Sequence, residues 1–463
     1  MAKTRIEKDS LGPVEIATDK LWGPQSQRSI LNFAIGSDRF PAAFIHDFAL
    51  LKKAAALANE ELGDLEPEQA HLIQAACDEI ISGAHDDQFP LSIWQTGSGT
   101  QTNMNLNEVI ANLANREAGS EPGSNSPLHP NDHVNRSQSS NDTFPTVMHI
   151  TATRLIREPL LPTLDKLIDA LTTKEAEFSA LIKSGRTHMM DATPVTLGQE
   201  FGAYRSQLDN ARKQILASVE PLGELAIGGT AVGTGLNTRV RWPVTVVSHI
   251  NRLSGFNFRP AENKFAQLGA HDALLGLHNQ LNLLATALFK MGNDIRMMNS
   301  GPRCGLAEIS IPANEPGSSI MPGKVNPTQV EALTMVCTRV MGNNTTVSIA
   351  ASQGQFELNV YKPVIIHTVI ESILLLADSL RSFTNNCLKG ITANEDNLQH
   401  YTERSLMLVT ALTPQIGYDQ AASAAKLAHE KDITLRAAVI ELDLLSGEDY
   451  DRLVRPEAML RPG

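Results

Sequence analysis

Three short segments of the sequence are dense in uncharged side chains that donate hydrogen bonds. They run from Thr96 to Asn103, from Ser137 to Asn141 and from Gly317 to Ser319, each beside a glycine or a predicted helix start. Serine, threonine and asparagine in such positions most often cap helices. Because the pattern occurs three times, and Thr187-His188 and Lys324-Val325-Asn326 add further donors, it favours a shared site for a small carboxylate ligand.

A pair of histidines could bind a metal ion. His129 and His133 flank Pro130-Asn131-Asp132, which would offer two imidazoles and a carboxylate. The proline and the preceding Ser/Pro-rich stretch predict a loop rather than a helix, so hydrogen bonding within the loop, or contact with an anion, competes with the metal interpretation. The four cysteines are far apart and lack the spacing of a zinc or iron–sulfur site. We therefore predict no metal and no cofactor.

Common nucleotide and hydrolase motifs are incomplete or absent. Gly97-Ser98-Gly99-Thr100 begins like a dinucleotide loop, but Thr102 stands where the third glycine belongs. The glycine cluster from Gly228 to Gly235 has no lysine where a phosphate loop needs one. The G-x-S-x-G and H-E-x-x-H patterns do not occur.

The charge balance excludes some partners. The chain of 463 residues has 39 Lys and Arg against 51 Asp and Glu, a formal charge of −12, without a dense basic run. Binding of nucleic acid is therefore not expected. The sequence has no secretory signal pattern and no uninterrupted apolar run of about 18 residues, so no membrane partner is expected either. Scattered cysteines are typical of a reducing compartment, and we predict a cytoplasmic protein.

Periodic apolar residues predict long helices. The residues repeat at alternating spacings of three and four from Leu281 to Met298 and from Ile366 to Cys387. The segment from Val330 to Val347 follows the same register with Asn344 intervening, and the segment from Leu164 to Leu181 follows it more loosely. Aromatic residues make only 5% of the chain, which suits helices packed through aliphatic side chains. About 20 residues per helix give a length of roughly 30 Å, typical of a helical bundle.

The predicted fold class is mainly α. We divide the chain into a mixed N-terminal domain (residues 1–138), a central bundle of long helices (139–355) and a small helical C-terminal domain (356–463). The segment from Gly301 to Pro327 holds five prolines and several glycines, and a loop of that length inside a compact domain is usually functional or disordered.

One long segment resembles a known family. Gly317-Ser318-Ser319-Ile320-Met321-Pro322-Gly323-Lys324-Val325-Asn326-Pro327 is similar to the signature loop of the fumarase/aspartase superfamily, whose members release fumarate by cleaving a C–N or C–O bond. Further segments, in the same chain order, resemble the class II fumarate hydratases. They are Trp94–Thr100, His129–Asp132, Ser139–Asp142 and Gly185–His188.

The resemblance implies roles for individual residues in the interconversion of fumarate and (S)-malate. Ser318 resembles the base on a mobile loop, His188 the second acid/base group and Glu331 the carboxylate that orients it. The residues that match the family's substrate site are Ser98, Gly99, Thr100, Ser139, Ser140, Asn141, Thr187, Ser319, Lys324, Val325 and Asn326. His129, Pro130, Asn131 and Asp132 resemble a second dicarboxylate site, although Ser126 and His133 depart from the pattern of some relatives there.

Two alternative functions remain open. Aspartate ammonia-lyase is the nearest enzyme, but the resemblance to that subgroup is weaker at Gly323 and Ser98. A catalytically silent structural or binding protein could share the fold, since a fold does not dictate a function. The presence of Ser318, Lys324, Asn326 and His188 together argues against such a silent protein, and Gly323 and Ser98 favour the hydratase over the ammonia-lyase.

The resemblance also implies assembly. It predicts a homotetramer around a shared multi-helix core, with each active site built from different subunits. Thr187-His188 and the loop from Ser318 to Asn326 of one site would then come from separate chains. The long apolar seams point the same way, because in a single chain of this size we expect them to leave apolar stripes facing water, which an oligomer would bury.

Overall fold

The computed structural model describes residues 3–462 of the chain. Met1 and Ala2 of the predicted N-terminal domain and Gly463 of the predicted C-terminal domain lie outside the described residues. The fold is mainly α, as predicted. The helices of the described residues are α1 (Pro24–Asn32), α2 (Ala42–Glu61), α3 (Pro67–Ile81), α4 (Thr100–Glu117), α5 (Ser140–Leu155), α6 (Leu161–Glu177), α7 (Leu197–Ser218), α8 (Trp242–Ser254), α9 (Lys264–Gly269), α10 (Asp272–Met298), α11 (Thr328–Ala351), α12 (Lys362–Asn386), α13 (Glu395–Arg404), α14 (Thr413–Ile416), α15 (Tyr418–Lys431), α16 (Leu435–Glu441) and α17 (Gly447–Leu453).

Short strands form small two-stranded sheets between these helices. The strands are β1 (Thr4–Asp9), β2 (Gly12–Ala17), β3 (Ile182–Thr187), β4 (Met190–Thr196), β5 (Glu224–Leu225), β6 (Arg259–Pro260), β7 (Ile309–Ser310) and β8 (Thr392–Ala393). Strands pair β1 with β2, β3 with β4, β5 with β6 and β7 with β8, and only the β5–β6 pair is parallel. Long-range sheet pairing therefore contributes little, and the architecture depends on helix packing.

Three of the predicted long helices are confirmed and one is shorter than predicted. The seams that begin at Leu281, Val330 and Ile366 lie on α10, α11 and α12. The fourth segment was expected to be helical as far as Leu181, but α6 ends at Glu177 and the chain passes into β3.

The seam side chains are not exposed in the single chain, which corrects one expectation. Seam residues such as Leu288, Val340 and Ile373 have no accessible surface. They are covered by the rest of the same chain, so the seams do not leave apolar stripes facing water. The exposed apolar side chains on the same helices are others, among them Leu283 and Met335.

The chain divides into two compact units, each built from three separate segments. The first comprises residues 1–161, 213–283 and 339–375, and the second comprises 162–212, 284–338 and 376–463. This grouping follows spatial contacts within the described residues. The three consecutive domains stay a prediction.

Aromatic rings form the centre of the first unit. Phe44 on α2 stacks on Phe40 at 4.7 Å between ring centroids and contacts Phe144 on α5 at 5.3 Å. Phe48, one turn further along α2, meets Phe144 edge-on at 6.1 Å. This cluster fixes α5, whose first residue is Ser140, against α2.

The second unit holds the β3–β4 hairpin and the C-terminal helices. Phe178 and Phe201 lie at 5.3 Å between centroids at the base of the hairpin. Near the C-terminus, Leu412, Ala424 and Val439 belong to a separate small apolar cluster.

Helix α12 is long and apolar enough to cross a membrane by length and composition alone. However, 61% of its most apolar stretch, within Lys362–Gly390, is buried inside the chain. Side chains such as Val369 and Leu380 have no accessible surface. Burial of that kind is typical of a core helix.

Candidate active site

The first donor cluster lies at the start of α4. The Ser98 and Thr100 hydroxyl oxygens are 2.8 Å apart, and Thr100 Oγ1 lies 2.7 Å from Ser140 Oγ at the start of α5. The structure therefore brings together donors from two of the segments that the sequence singled out. Two helix N-termini beside these hydroxyls favour a negatively charged ligand.

Gly99 shapes this cluster through its backbone. It precedes α4 with φ of +76°, and a Cβ atom at this position would lie 2.1 Å from Cδ2 of Phe144. Its N–H donates to Thr96 O at 3.0 Å. A side chain would therefore displace the aromatic core that holds α5, so only glycine fits the turn into α4.

Ser139 and Asp142 cap α5 reciprocally. Ser139 Oγ accepts the N–H of Asn141 at 3.2 Å, while the Asp142 carboxylate accepts the N–H of Ser139 at 3.0 Å. The Asn141 side-chain amide donates to Ala231 O at 2.8 Å, which links the donor cluster to the glycine-rich segment. Burial raises the pKa of Asp142 to about 6, although backbone N–H donors from Gly228 and Thr230 favour its charged form.

His188 occupies the tip of a tight hairpin that sequence reasoning missed. Thr187 pairs with Met190, so His188 and Met189 form a two-residue turn with φ of 56° and 63°. Positive φ at both positions is the type I′ geometry that matches the twist of paired strands. Thr187, His188, Met189 and Met190 are all exposed. Positive φ is uncommon for residues other than glycine, so the turn holds the His188 backbone in a conformation that few side chains adopt.

A buried ion network anchors the hairpin. Glu308 has no accessible surface, and its carboxylate lies 2.9 Å from Lys183 Nζ and 2.8 Å from Arg186 Nη1. Lys183 also contacts Glu200 on α7 at 2.8 Å. Of these residues only Arg186 was noted in the sequence, within the segment Gly185–His188. No local motif marks Glu308 as its partner, because the carboxylate and the cations are more than 100 positions apart.

Ser318 lies on the long loop before α11 and accepts two backbone hydrogen bonds. The N–H groups of Met321 and Ile320 donate to Ser318 Oγ at 2.9 and 3.3 Å. Donors aimed at this oxygen would stabilise it as an alkoxide. Ser319, the next residue, is exposed.

Lys324 and Asn326 belong to the same loop. Lys324 Nζ donates to Asn326 Oδ1 at 2.5 Å, and Asn326 Nδ2 donates to Gly317 O. A Cβ atom on Gly317 would lie 2.2 Å from Lys324 O, so the two ends of the loop approach too closely for any side chain there. Lys324 and Val325 are exposed, which leaves the ammonium accessible to a ligand.

Glu331 lies in the first turn of α11 and is exposed. The predicted pairing of Glu331 with His188 is not made within the chain. Across residues 3–462 neither the His188 imidazole nor the Glu331 carboxylate has a hydrogen bond or ion pair. These two groups are therefore available to residues outside the single chain.

The residues of the predicted second site lie at a cleft of the first unit. His129, Pro130 and Asn131 line a cleft of about 1390 Å³, and Arg28 and Thr100 also line it. Arg28 pairs with Asp9 at 2.8 Å, and Asp9 also lines the cleft, so a ligand there would meet hydroxyl and amide groups and a guanidinium that already has a carboxylate partner. Asp132 is exposed and is not part of the lining, although its carboxylate lies 3.3 Å from His129 Nδ1.

The two histidines of this loop bond to its backbone. His129 Nδ1 accepts the N–H groups of Asn131 and Asp132, both at 3.2 Å. His133 Nδ1 accepts the N–H of His129 at 2.8 Å. Pro130–Val134 forms one turn of helix rather than the predicted loop, with His129 as its N-cap. The bonds to the backbone support the hydrogen-bonding interpretation over the metal interpretation. Within residues 3–462 no group of three or more His, Cys, Asp or Glu side chains could hold a metal ion.

Comparison with known families identifies the class of protein first. Residues 12–342 match the family model described as Lyase, and residues 408–461 match the model described as Fumarase C C-terminus. The helical fold and the loop that carries Ser318 therefore belong to a lyase.

Similarity to individual proteins then identifies the family within the lyases. A class II fumarate hydratase of Thermosynechococcus vestitus is 59% identical, over 99% of this chain and 98% of the relative. Its counterpart in Pseudomonas putida is 55% identical, over 99% of both chains. The crystal structure of class II fumarase from Schistosoma mansoni superposes with a TM-score of 0.97 at 45% identity, over 99% of both chains. The chain belongs to the class II fumarate hydratase family.

Proposed function

We propose that this chain catalyses the reversible hydration of fumarate to (S)-malate without a metal ion or an organic cofactor. The observation that carries the proposal is the Ser318 hydroxyl, which accepts N–H groups from Ile320 and Met321 on the same loop as Lys324. Membership of the class II fumarate hydratase family supports the same reaction.

The proposed chemistry begins at a weakly acidic C–H bond. In the direction of malate dehydration, the Ser318 alkoxide takes the proton from the carbon beside a carboxylate. The electron pair moves onto that carboxylate, which becomes a dianionic aci-carboxylate. The Lys324 ammonium and Asn326 stabilise the added charge. The two N–H donors on Ser318 Oγ support this role, since they lower the cost of forming the alkoxide.

His188 completes the reaction at the neighbouring carbon. Its imidazolium gives a proton to the leaving hydroxyl, which departs as water while the double bond of fumarate forms. In the hydration direction, the neutral imidazole takes a proton from water. The proposed role of Glu331 is to orient the imidazole and favour its charged form.

The remaining predicted residues bind the substrate. We propose that the hydroxyl cluster and the α5 N-terminus hold one carboxylate, while the loop and hairpin residues complete the site. The residues in this role are Ser98, Gly99, Thr100, Ser139, Ser140, Asn141, Thr187, Ser319, Lys324, Val325 and Asn326. The contacts among Ser98, Thr100 and Ser140 support it. His129, Pro130, Asn131 and Asp132 remain a proposed second dicarboxylate site.

We propose a cytoplasmic homotetramer with active sites shared between subunits. Its support is that His188 and Glu331 are exposed and have no side-chain partner within residues 3–462. Exposed apolar side chains near them in sequence, such as Met189 and Met321, would be covered by another copy of the chain.

Ultraviolet absorbance of fumarate tests the reaction. The purified protein is expected to lower the absorbance in buffer alone, with malate as product, and added ammonium is expected to be unnecessary. Aspartate is expected to release no ammonia at a comparable rate. Consumption of fumarate only with ammonium would instead indicate aspartate ammonia-lyase, and no consumption in either condition would indicate a silent relative. A rate that disappears with EDTA and returns with a divalent metal would contradict the metal-free mechanism.

A further inference from the structure

One lysine is completely buried beside the substrate-binding hydroxyls. Lys52 on α2 has no accessible surface, and its ammonium donates to Asn103 Oδ1 at 2.8 Å, Gln138 Oε1 at 3.0 Å and Asn135 Oδ1 at 3.1 Å. An ammonium has three hydrogens. Each of them therefore has one amide oxygen as its acceptor, which holds the nitrogen at a fixed point.

The three acceptors belong to the two segments that supply the donor cluster. Asn103 lies in the first turn of α4, three residues after Thr100. Asn135 and Gln138 belong to the segment that leads directly into Ser139, the N-cap of α5. Lys52 thus connects the start of α4 to the segment before α5 through hydrogen bonds in the protein interior.

Further hydrogen bonds tie the acceptors to one another. Asn103 Nδ2 donates to Asn135 Oδ1 at 3.2 Å, and Thr143 Oγ1 on α5 donates to Asn103 Oδ1 at 3.1 Å. These side chains form one network around the ammonium. A change at Lys52 would therefore move both helix starts.

No carboxylate neutralises this charge directly. Within the described residues Lys52 has no ion pair, and the nearby Asp142 carboxylate is bonded to the N–H groups of Ser139, Gly228 and Thr230. Burial lowers the pKa of Lys52 to about 7, against attraction from Asp142. The other titratable group that faces it is Cys77 on α3, whose pKa burial raises, so that the thiol is neutral. A buried cation without a paired anion costs stability, and a role in binding an anionic ligand would account for it.

We propose that Lys52 is a positioning residue for the substrate carboxylate. Its ammonium sets the separation between the Thr100 hydroxyl and the Ser139–Asn141 segment, and adds positive potential behind them. The inference rests on the proposed function, since the carboxylate that it serves is that of fumarate or malate. Lys52 itself does not touch the substrate.

Replacement of Lys52 by methionine tests this role, because methionine keeps much of the volume and removes the charge. Lys52→Met is expected to raise KM for fumarate about tenfold while kcat changes less than about threefold, since binding before the chemical step is lost. The dissociation constant of succinate, a dicarboxylate that cannot react, is expected to rise about as much by calorimetry. The matched control is Lys53→Met on the same helix, where the ammonium contacts only Asp78, and no change is expected there.

The outcomes separate this inference from the proposed function. If the wild-type protein did not consume fumarate, the proposed function would be contradicted. The affinity of the wild type and of Lys52→Met for succinate would still test the positioning role of Lys52. Unchanged succinate affinity and KM in folded Lys52→Met would overturn the positioning role. A fall in kcat alone would overturn it as well, because it would place Lys52 in the chemical step.

A second measurement applies even if Lys52→Met does not fold. In His188→Asn protein, which removes that side chain from the measurement, succinate affinity is expected to weaken several-fold from pH 7 to pH 9, because the ammonium loses its charge and one donor in this range. The range begins at pH 7 because burial raises the pKa of Asp142 only to about 6, so that carboxyl titrates below it. An affinity that stayed constant between pH 7 and pH 9 would contradict the proposal.

Discussion

At the scale of single residues, Ser318 is the proposed group that depends most on neighbouring donors, because its charged form must be stabilised. A free hydroxyl is far too weak a base for a carbon acid, and a buried or loop-enclosed alkoxide must be stabilised by donors. Ser318 has two backbone N–H donors within 3.3 Å, and Lys324 follows on the same loop. In the proposed mechanism the loop therefore supplies the electrostatic part of catalysis together with the base.

The first prediction concerns this hydroxyl. Ser318→Ala removes the base but no core contact, so kcat is expected to fall by roughly 10³-fold or more while the fold and the oligomer persist. Steady-state kinetics and size-exclusion chromatography would measure both properties. Near-native turnover at saturating fumarate would show that Ser318 is not the base.

The second prediction concerns the histidine at the hairpin tip. His188 has φ of 56°, a conformation that asparagine tolerates better than most residues. His188→Asn is therefore expected to keep the hairpin and to lower kcat by roughly 10³-fold, since no other acid/base group replaces the imidazole. Circular dichroism provides the control for folding. A variant that retained most of its turnover would exclude His188 as the acid/base group.

The third prediction concerns pH and a buried histidine. His271 is buried, both ring nitrogens lack a hydrogen-bond partner within residues 3–462, and burial lowers its pKa well below the usual value of 6.5. The unfolded state therefore binds a proton that the folded state does not, and stability is lost as the pH falls below about 6.5. Between pH 7.5 and pH 5 the free energy of unfolding is expected to fall in both proteins. The fall is expected to be about 2 kcal/mol smaller in His271→Leu than in the wild type.

Urea unfolding at both pH values would measure that difference. His429→Leu, at an exposed position, is the matched control and is expected to follow the wild-type curve. An equal loss of stability in His271→Leu and wild type would show that His271 is not a source of the acid sensitivity.

At the scale of secondary-structure elements, the β3–β4 hairpin carries the histidine and depends on a buried carboxylate. The Glu308 carboxylate forms ion pairs with both Lys183 and Arg186 on β3. Removing one partner of a buried ion pair leaves the other charges uncompensated. The hairpin is therefore the element most sensitive to a distant substitution.

The fourth prediction follows from this anchor. Glu308→Gln is expected to lower the free energy of unfolding by about 3 kcal/mol and to lower kcat as well, because β3 positions His188. Glu200→Gln, which removes only the more exposed partner of Lys183, is expected to have a smaller effect. Urea unfolding and steady-state kinetics measure the two effects. Equal effects of the two variants would contradict the anchoring role of Glu308.

The elements differ in how well the sequence predicted them. The spacing of Leu281, Leu284 and Leu288 predicted α10 because a long helix repeats one buried face many times. The β3–β4 hairpin could not be predicted in this way, since its turn is His188-Met189 and lacks the Asn-Gly or Asp-Gly signal. Glu308 was missed because nothing local marks a partner 122 positions from Arg186.

The proposed site residues come from a different kind of signal. Ser318, Lys324 and Asn326 lie within nine positions of one another, so a resemblance to one loop is enough to propose all three together. The network of Lys52 joins three distant segments, and a buried lysine is indistinguishable in sequence from an exposed one. Only the structure brings it to the starts of α4 and α5.

At the scale of the whole molecule, the proposed tetramer would have to form through surfaces other than the predicted seams. The seam side chains are buried in the single chain, whereas Met335 and Ile349 on α11 are 66% and 59% exposed. Apolar surface of this kind on one long helix suits contact with a second copy. The hairpin tip and the Ser318 loop also expose apolar side chains beside their polar ones, Met189 and Ile320 among them.

The fifth prediction tests the central claim, that His188 of one chain and Ser318 of another act on the same fumarate. Inactive Ser318→Ala and inactive His188→Asn proteins are unfolded, mixed and refolded together, and fumarate consumption is measured on tetramers isolated by size. Mixed tetramers contain some sites with an intact His188 and an intact Ser318, so part of the wild-type activity is expected to return, while each variant refolded alone stays inactive. Mixed tetramers that remained at the single-variant level would contradict the composite site.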